Sequence, residues 1–199
     1  NHDIEFRVKT KSGDYCWIES RGRVVNRDPA GQSLRIIGTH QDITKRRQAE
    51  EALRESEHFL DSIVENIPNM IFIKDAKDLR FVRFNRAGEK LLGYSREELT
   101  GKNDYDFFEK DMADFFTQKD REVLESGHLK DIPEEKINTK LLGTRILHTK
   151  KIPILDEKGI PKYLLGISED VTERKQAEEA LRMSEERFRQ VAESADEWI

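Results

Sequence analysis

The segment Gly38-Thr-His-Gln-Asp-Ile-Thr-Lys-Arg-Arg-Gln-Ala-Glu-Glu-Ala-Leu-Arg-Glu-Ser-Glu57 returns 128 positions later as Gly166-Ile-Ser-Glu-Asp-Val-Thr-Glu-Arg-Lys-Gln-Ala-Glu-Glu-Ala-Leu-Arg-Met-Ser-Glu185. Upstream, Gly31 matches Gly159 at the same shift and Gly13 matches Gly143 at 130, so the hairpin between them differs by two residues. Downstream, Glu65 and Ile71 fall on Glu193 and Ile199. A period this long is the size of a domain, far above the roughly 20–50 residues of a solenoid unit. The chain therefore reads as the end of one unit (1–43), a connecting helix (44–66), one whole unit (67–171), and a second connecting helix that leads into a third unit (172–199).

Composition narrows the function classes. Charged residues make up 38% of the 199 and hydrophobic ones 36%, with ten Phe, enough for a modest core. The net charge of −5 lacks the basic footprint of a phosphate-tracking protein, and Lys45-Arg-Arg47 is too short a run to supply one. Nucleic acid is not an expected partner. One cysteine, Cys16, excludes an intrachain disulfide framework and agrees with a reducing, cytoplasmic setting; there a structural thiol is the default and redox sensing the alternative. The longest uncharged apolar run, residues 67–73, falls well short of the ~20 residues of a membrane span, so no direct membrane contact is expected. The chain opens on Asn1 in a strand-like run and reads as an excerpt of something longer. His2, His40, His58, His128 and His148 are scattered without metal spacing, and no Gly-rich phosphate loop or nucleophile elbow is present. The stretch is expected to be non-catalytic, with no metal site.

Within the whole unit, apolar runs at 70–75 and 79–84, separated by Ala76-Lys-Asp78, predict a hairpin. A short helix follows over 86–92, stopped by Gly93, and Ser95-Arg-Glu-Glu98 is a capping-box pattern for another. Residues 111–126 form the longest helix inside the unit, with Gly127 as its C-cap. Three strands close the unit over 132–139, 145–154 and 163–170.

That order, the Phe84-Asn-Arg-Ala87 segment, the Leu92-Gly-Tyr-Ser-Arg-Glu-Glu-Leu99 run and the exit Asp170-Val-Thr-Glu-Arg174 together resemble a PAS domain with its C-terminal PAC segment (S-box). Residues 4–46, ending in Asp42-Ile-Thr-Lys-Arg46, resemble the last strands of a preceding one, and 184–199 the start of a following one. The resemblance implies an α+β fold, an antiparallel sheet with helices on one face. It also implies a pocket between the long helix and the inner sheet face. The apolar candidates to line it are Ile71, Ile73, Val82, Phe84, Leu91, Phe107, Phe115, Val123, Leu147, Leu165 and Ile167, with ordinary core packing as the alternative. Flavin-binding relatives carry a reactive cysteine where Gly101-Lys-Asn-Asp-Tyr-Asp-Phe-Phe108 has Asp104, and haem-binding ones carry a histidine on the long helix, which here has none; His128 lies just beyond it. No flavin or haem is expected, and a small-molecule ligand of unknown identity is left open.

The connecting helices carry a heptad seam. Arg46, Ala49, Leu53, Ser56, Leu60, Ile63 and Ile67 step by 3 and 4, and Arg174, Ala177, Leu181, Ser184, Phe188, Val191 and Ala195 keep the same phase. Two such helices in parallel would bury this stripe and make a homodimer; a lone amphipathic helix on its own domain is the alternative. At each helix start stand Asp42, Thr44 and Arg46, or Asp170, Thr172 and Arg174. Thr suits an N-cap, and the Asp is placed to pair with the Arg one turn on. By resemblance this junction passes strand movement to the linker; a plain stable cap is the alternative. The reading is a sensory and dimerisation relay feeding a downstream effector in the same chain, most simply a histidine kinase, with a ligand-free scaffold as the competing class.

Overall fold

A computed structural model describes residues 2–196, with side chains over 3–190. It divides into two compact units, Asn1–Ser62 and Ile63–Ile199.

In the first unit, β1 (His2–Lys9), β2 (Tyr15–Arg27) and β3 (Ser33–Asp42) form an antiparallel sheet in that order. Helix α1 (Thr44–Asn66) follows. Among the described residues no helix lies across these three strands, and part of their apolar surface faces water. Ile4 and Ile36 are exposed, whereas Phe6 is half-covered by the edge of His40, and Trp17 by the guanidinium of Arg47 at 5.1 Å. Ile43, at the strand-to-helix joint, is fully buried.

The second unit has a five-stranded antiparallel sheet, ordered β5-β4-β8-β7-β6. Its strands are β4 (Met70–Asp75), β5 (Phe81–Phe84), β6 (Lys130–Thr139), β7 (Gly143–Leu155) and β8 (Pro161–Asp170). Between β5 and β6 come α2 (Arg86–Leu92), α3 (Arg96–Leu99), a 3₁₀ turn (Asp104–Asp106) and α4 (Lys110–Ser126); α5 (Thr172–Asp196) leaves the last strand. The α+β class and the PAS architecture expected from sequence are what the chain adopts.

The capping signals act where the residues place them. Ser95 and Glu98 close a reciprocal capping box on α3, and Gly93 and Gly127 end α2 and α4 in the left-handed region. The hairpin differs from expectation, because β5 begins at Phe81 rather than at residue 79. Leu79 takes φ 58°, its amide bonding back to Asp75, and that turn conformation cannot continue a strand. Burial of the Leu79 side chain to 3% exposure opposes the strain.

The core lies between the sheet and the α2–α4 layer. Phe72, Phe81 and Phe84 contact one another at centroid distances of 4.8–6.2 Å, with Phe116, Val123, Leu147 and Leu164 packed around them. Each such side chain removed from water contributes about 1.5–3 kcal/mol. Gly166 of β8 lies opposite Phe72 in the ladder, and a Cβ there would fall 2.0 Å from Phe72 Cζ, so the ring needs the glycine.

Candidate functional site

The inward face of the sheet is not wholly apolar. Strand alternation sends Met70, Phe72 and Lys74 of β4 to the same side, with Leu147, Thr149 and Lys151 of β7 and Leu164, Gly166 and Ser168 of β8. On α4, the buried stripe Ala113, Phe116, Asp120, Val123 contains a carboxylate. These polar groups meet. Asp120 accepts from Lys74 Nζ at 2.6 Å through Oδ2 and from Lys151 Nζ at 2.7 Å through Oδ1. Lys74 also donates to Asp104 Oδ2 at 2.5 Å. Glu135 of β6 accepts the Thr149 hydroxyl at 2.7 Å, and that hydroxyl lies 2.9 Å from Ser168 Oγ. Both lysines are 1% exposed, and their ammonium groups sit near ring faces, Lys74 over Phe81 at 4.7 Å and Lys151 over Phe116 at 5.6 Å.

The electrostatics follow from who has two partners. Burial pushes the Asp120 carboxyl upward, but the Lys74 and Lys151 charges overcome it and hold its pKa below the ordinary aspartate value. Asp104 has one close ammonium, so burial prevails there and its pKa is raised. Burial also disfavours charge on Lys74, and the Asp120 and Asp104 carboxylates outweigh it, leaving Lys74 above the usual lysine value.

A cavity of about 30 Å³ opens among Met70, Phe72, Lys74, Phe81, Phe84, Leu92, Asp104, Phe108, Phe116, Glu135, Ile137 and Lys151. Of the residues expected to line a pocket, Phe84 does so. Val123 and Leu147 belong to the buried cluster around it, and Leu91 and Phe107 pack against that cluster without reaching the cavity. Ile71 pairs with Ile167 and Ile73 with Leu165 across the β4–β8 ladder, on the opposite face of the sheet; Val82 and Phe115 are exposed. The phase is thus one residue off on β4 and β8, where the inward face carries Lys74, Gly166 and Ser168 and an apolar-in rule selects the other side, while on β5 and α4 Phe84 and Val123 face inward and only Val82 and Phe115 do not. The 3-4-3 spacing of Ala113, Phe116, Asp120 and Val123 was the sequence signal for the buried carboxylate.

Two junctions tie helices to strands. In the first unit Trp17 N–H donates to Thr44 Oγ1 at 2.8 Å; in the second Ile146 N–H donates to Thr172 Oγ1 at 2.8 Å. Each bond sits beside a backbone bond in the other direction, Ile43 N–H to Trp17 O and Val171 N–H to Ile146 O, both 2.9 Å. Asp42 and Asp170 accept the amides of Thr44 and Thr172. The threonine hydroxyl therefore serves the strand rather than capping its helix. Among the described residues the expected Asp–Arg pair is made in neither unit. Arg46 lies 3.1 Å from Glu5 and 3.6 Å from Glu19, Arg174 lies 4.0 Å from Glu178, and Arg145 rather than Arg174 approaches Asp170, at 3.8 Å. Once the Asp carboxylate turns back to the threonine amide, it no longer reaches along the helix.

A third junction was not anticipated. Asn85, fully buried, accepts from Ile71 N–H at 2.9 Å and Gly88 N–H at 3.0 Å and donates to Val64 O, Asn69 O and Ile67 O at 2.9–3.3 Å. It fastens the end of α1 to β4 and α2. Arg96 forks between Glu89 and Glu65, at 2.7 and 2.9 Å, and adds a second tie to the same helix end.

On the connecting helices, Ala49, Leu53, Ser56, Leu60, Ile63, Leu181 and Phe188 are all exposed, Phe188 at 78%. The Val191 side chain lies outside the described residues. Among the described residues no cluster fit to hold a metal occurs, and no helix is long and apolar enough to cross a membrane.

A family model described as the PAS fold matches residues 64–176, and a second PAS-fold model matches residues 1–40. The chain belongs to the PAS family. The sensor protein FixL of Bradyrhizobium diazoefficiens is 36% identical over 101 residues, 51% of this chain and 20% of that protein. The two-component sensor PprA of Pseudomonas aeruginosa is 24% identical over 195 residues, 97% of this chain and 21% of that protein. The chain thus spans about a fifth of the length of these curated relatives. Among solved structures, the PAS domain of an HTR-like protein from Haloarcula marismortui gives a TM-score of 0.50 at 22% identity, covering 62% of this chain and 98% of that one, a likeness of fold.

Proposed function

We propose that this chain is a sensory and dimerisation relay in a cytoplasmic signalling protein of the sensor histidine kinase class, itself non-catalytic. The cavity beside the Lys74–Asp120–Lys151 cluster is its input site, and α1 and α5, paired with those of a second copy, are its output. The observation that carries this reading is the repeated clamp, Trp17 to Thr44 and Ile146 to Thr172. It couples the strand next to the terminal one to the first turn of a helix whose apolar seam faces water. A kinase as the parent effector is supported by likeness to FixL and PprA, named as sensors, and to FilI of Methanothrix harundinacea, named as a regulatory histidine kinase and 30% identical over 122 residues, 61% of this chain and 13% of that protein. Flavin, haem, nucleic acid and membrane have no part in the proposed function.

Coiled-coil side chains repeat every seven residues, so seven residues inserted after Glu51 in the full-length protein preserve the phase between flanking units, whereas four rotate it. The expected result is output retained with seven and lost or locked with four. Leu53→Asp and Leu60→Asp place an unpaired charge in the seam and shift sedimentation toward monomer. If the four-residue insertion leaves output unchanged and both variants sediment like the parent, α1 is a tether. A ligand-free scaffold is then the better account, and it already has one supporting observation: a cavity of about 30 Å³ has room for little more than a water.

A further inference from the structure

The polar wall of the cavity is incomplete at one point. Glu135 is 5% exposed and lines the cavity; its Oε2 takes the Thr149 hydroxyl, but Oε1 has no hydrogen-bond partner. The nearest cation, Lys151 Nζ, stands 3.5 Å from Oε1, beyond the usual N–H···O distance. Lys151 itself carries three protons and donates to Asp120 at 2.7 Å. A buried carboxylate oxygen and an ammonium thus face the same small space as an ion pair too long for a hydrogen bond, and buried polar groups in native proteins are normally hydrogen-bonded.

We propose that the cavity takes a small neutral molecule bearing a hydrogen-bond donor and an acceptor on one polar head, an alcohol or phenol, joined to an apolar body. The donor completes Glu135 Oε1 and the acceptor takes a proton of Lys151. This rests on the reading of the cavity as the input site. The need for a donor and an acceptor together selects the class. A carboxylate offers no donor to Glu135 Oε1 and meets Asp104 and Asp120 nearby, while an ammonium offers no acceptor to Lys151 and meets Lys74 nearby; a hydroxyl supplies both on one atom. An apolar molecule leaves Oε1 without a hydrogen bond, and discrimination against analogues lacking a hydrogen-bonding group is strong when the site's own polar groups are buried. The body lies against Met70, Leu92, Phe108 and Phe116. The cavity holds about one water as it stands, so a ring must displace side chains; Met70, with three rotatable bonds, is the most adaptable of them.

Four probes of similar shape test this on the full chain: phenol, toluene, benzoate and benzylammonium, titrated while the methyl signals of Met70 and Ile137 are followed by NMR. Phenol is expected to bind at least about tenfold more tightly than the other three. Glu135→Gln, which keeps the shape, and Lys151→Met should each narrow the phenol-to-toluene ratio. Should either variant fail to fold, the four-probe comparison on the unmodified chain still decides. Equal binding of phenol and toluene, preference for either ion, or no binding by any probe with a water alone in the cavity overturns the ligand class. The relay is judged separately by the insertion test. Loss of all probe binding with phase-dependent output intact rejects this ligand and keeps the relay, whereas phenol binding with phase-indifferent output does the reverse.

Discussion

Two aspartates in the same buried cluster have opposite pKa shifts, and acid stability is where this shows. Asp120, bridged by Lys74 and Lys151, titrates below the ordinary 3.8, so its contribution to stability is full above that value and is lost as pH falls through its depressed folded pKa. Asp104 titrates above 3.8, so its protonation favours the folded state, and that contribution is full below 3.8 and lost as pH rises through its folded pKa. Glu122, held at about 2 by Lys130 and Lys119, adds to the acid fall. Urea unfolding between about pH 3 and 7 should therefore show stability rising on mild acidification and then falling. Asp104→Asn flattens the rise. Asp120→Asn flattens the fall and costs about 3–5 kcal/mol at neutral pH, because two buried ammonium groups lose their shared partner. An Asp120→Asn chain with the parent's acid limb and stability would show that the bridge is not formed.

At the scale of elements, the same joint is built twice from different strand sequences, Tyr15-Cys-Trp-Ile18 in one unit and Arg145-Ile-Leu-His148 in the other. What the two share is a strand amide delivered to a threonine hydroxyl, and the hydroxyl is the removable part. Thr172→Val keeps the shape and leaves the Ile146 amide without its acceptor, a loss of about 1–3 kcal/mol. Hydrogen exchange at Ile146 should accelerate by about tenfold or more, with the equivalent effect of Thr44→Val at Trp17. If both amides stay as protected as in the parent, the clamp contributes nothing and the backbone bonds alone hold the joint. Asn85 and Arg96 belong to a different class of joint, binding the end of the incoming helix instead of the start of the outgoing one.

Across the whole molecule the core is unevenly divided. Among the described residues, Ile43 is the buried apolar side chain of the first unit, while the Phe72–Phe81–Phe84 cluster and its neighbours lie in the second. A three-stranded sheet without a covering layer has little apolar burial to offset the entropy of ordering it. Chemical unfolding should therefore proceed in two steps, with exchange protection over β1–β3 lost at lower denaturant than over β4, β7 and β8. A single coincident transition by both probes would mean that the first unit draws its stability from elsewhere, including a second copy.

The repeat, the turn glycines and the capping box were enough to place α2 at 86–92, α1 at 44–66 and the succession of strands and helices along the second unit, because these depend on local backbone preference and spacing. The PAS architecture was implied by the resemblance of that succession, with the Phe84–Ala87, Leu92–Leu99 and Asp170–Arg174 segments, to the PAS family. The cavity wall did not. Strand alternation has two phases, and sequence alone assigned the inner one to Ile71, Ile73, Leu165 and Ile167, since burying Lys74 or Lys151 is costly for either lysine taken singly. Only the fold, by bringing Asp120 from α4, Asp104 from the 3₁₀ turn and Glu135 from β6 to the same point, supplies the opposite charges that make Lys74 and Lys151 acceptable inside. Those partners are separated by tens of residues along the chain, so their compensation is a tertiary property. Asn85 is the same case, its five bonds reaching back as far as Val64 in α1 and only there becoming a joint.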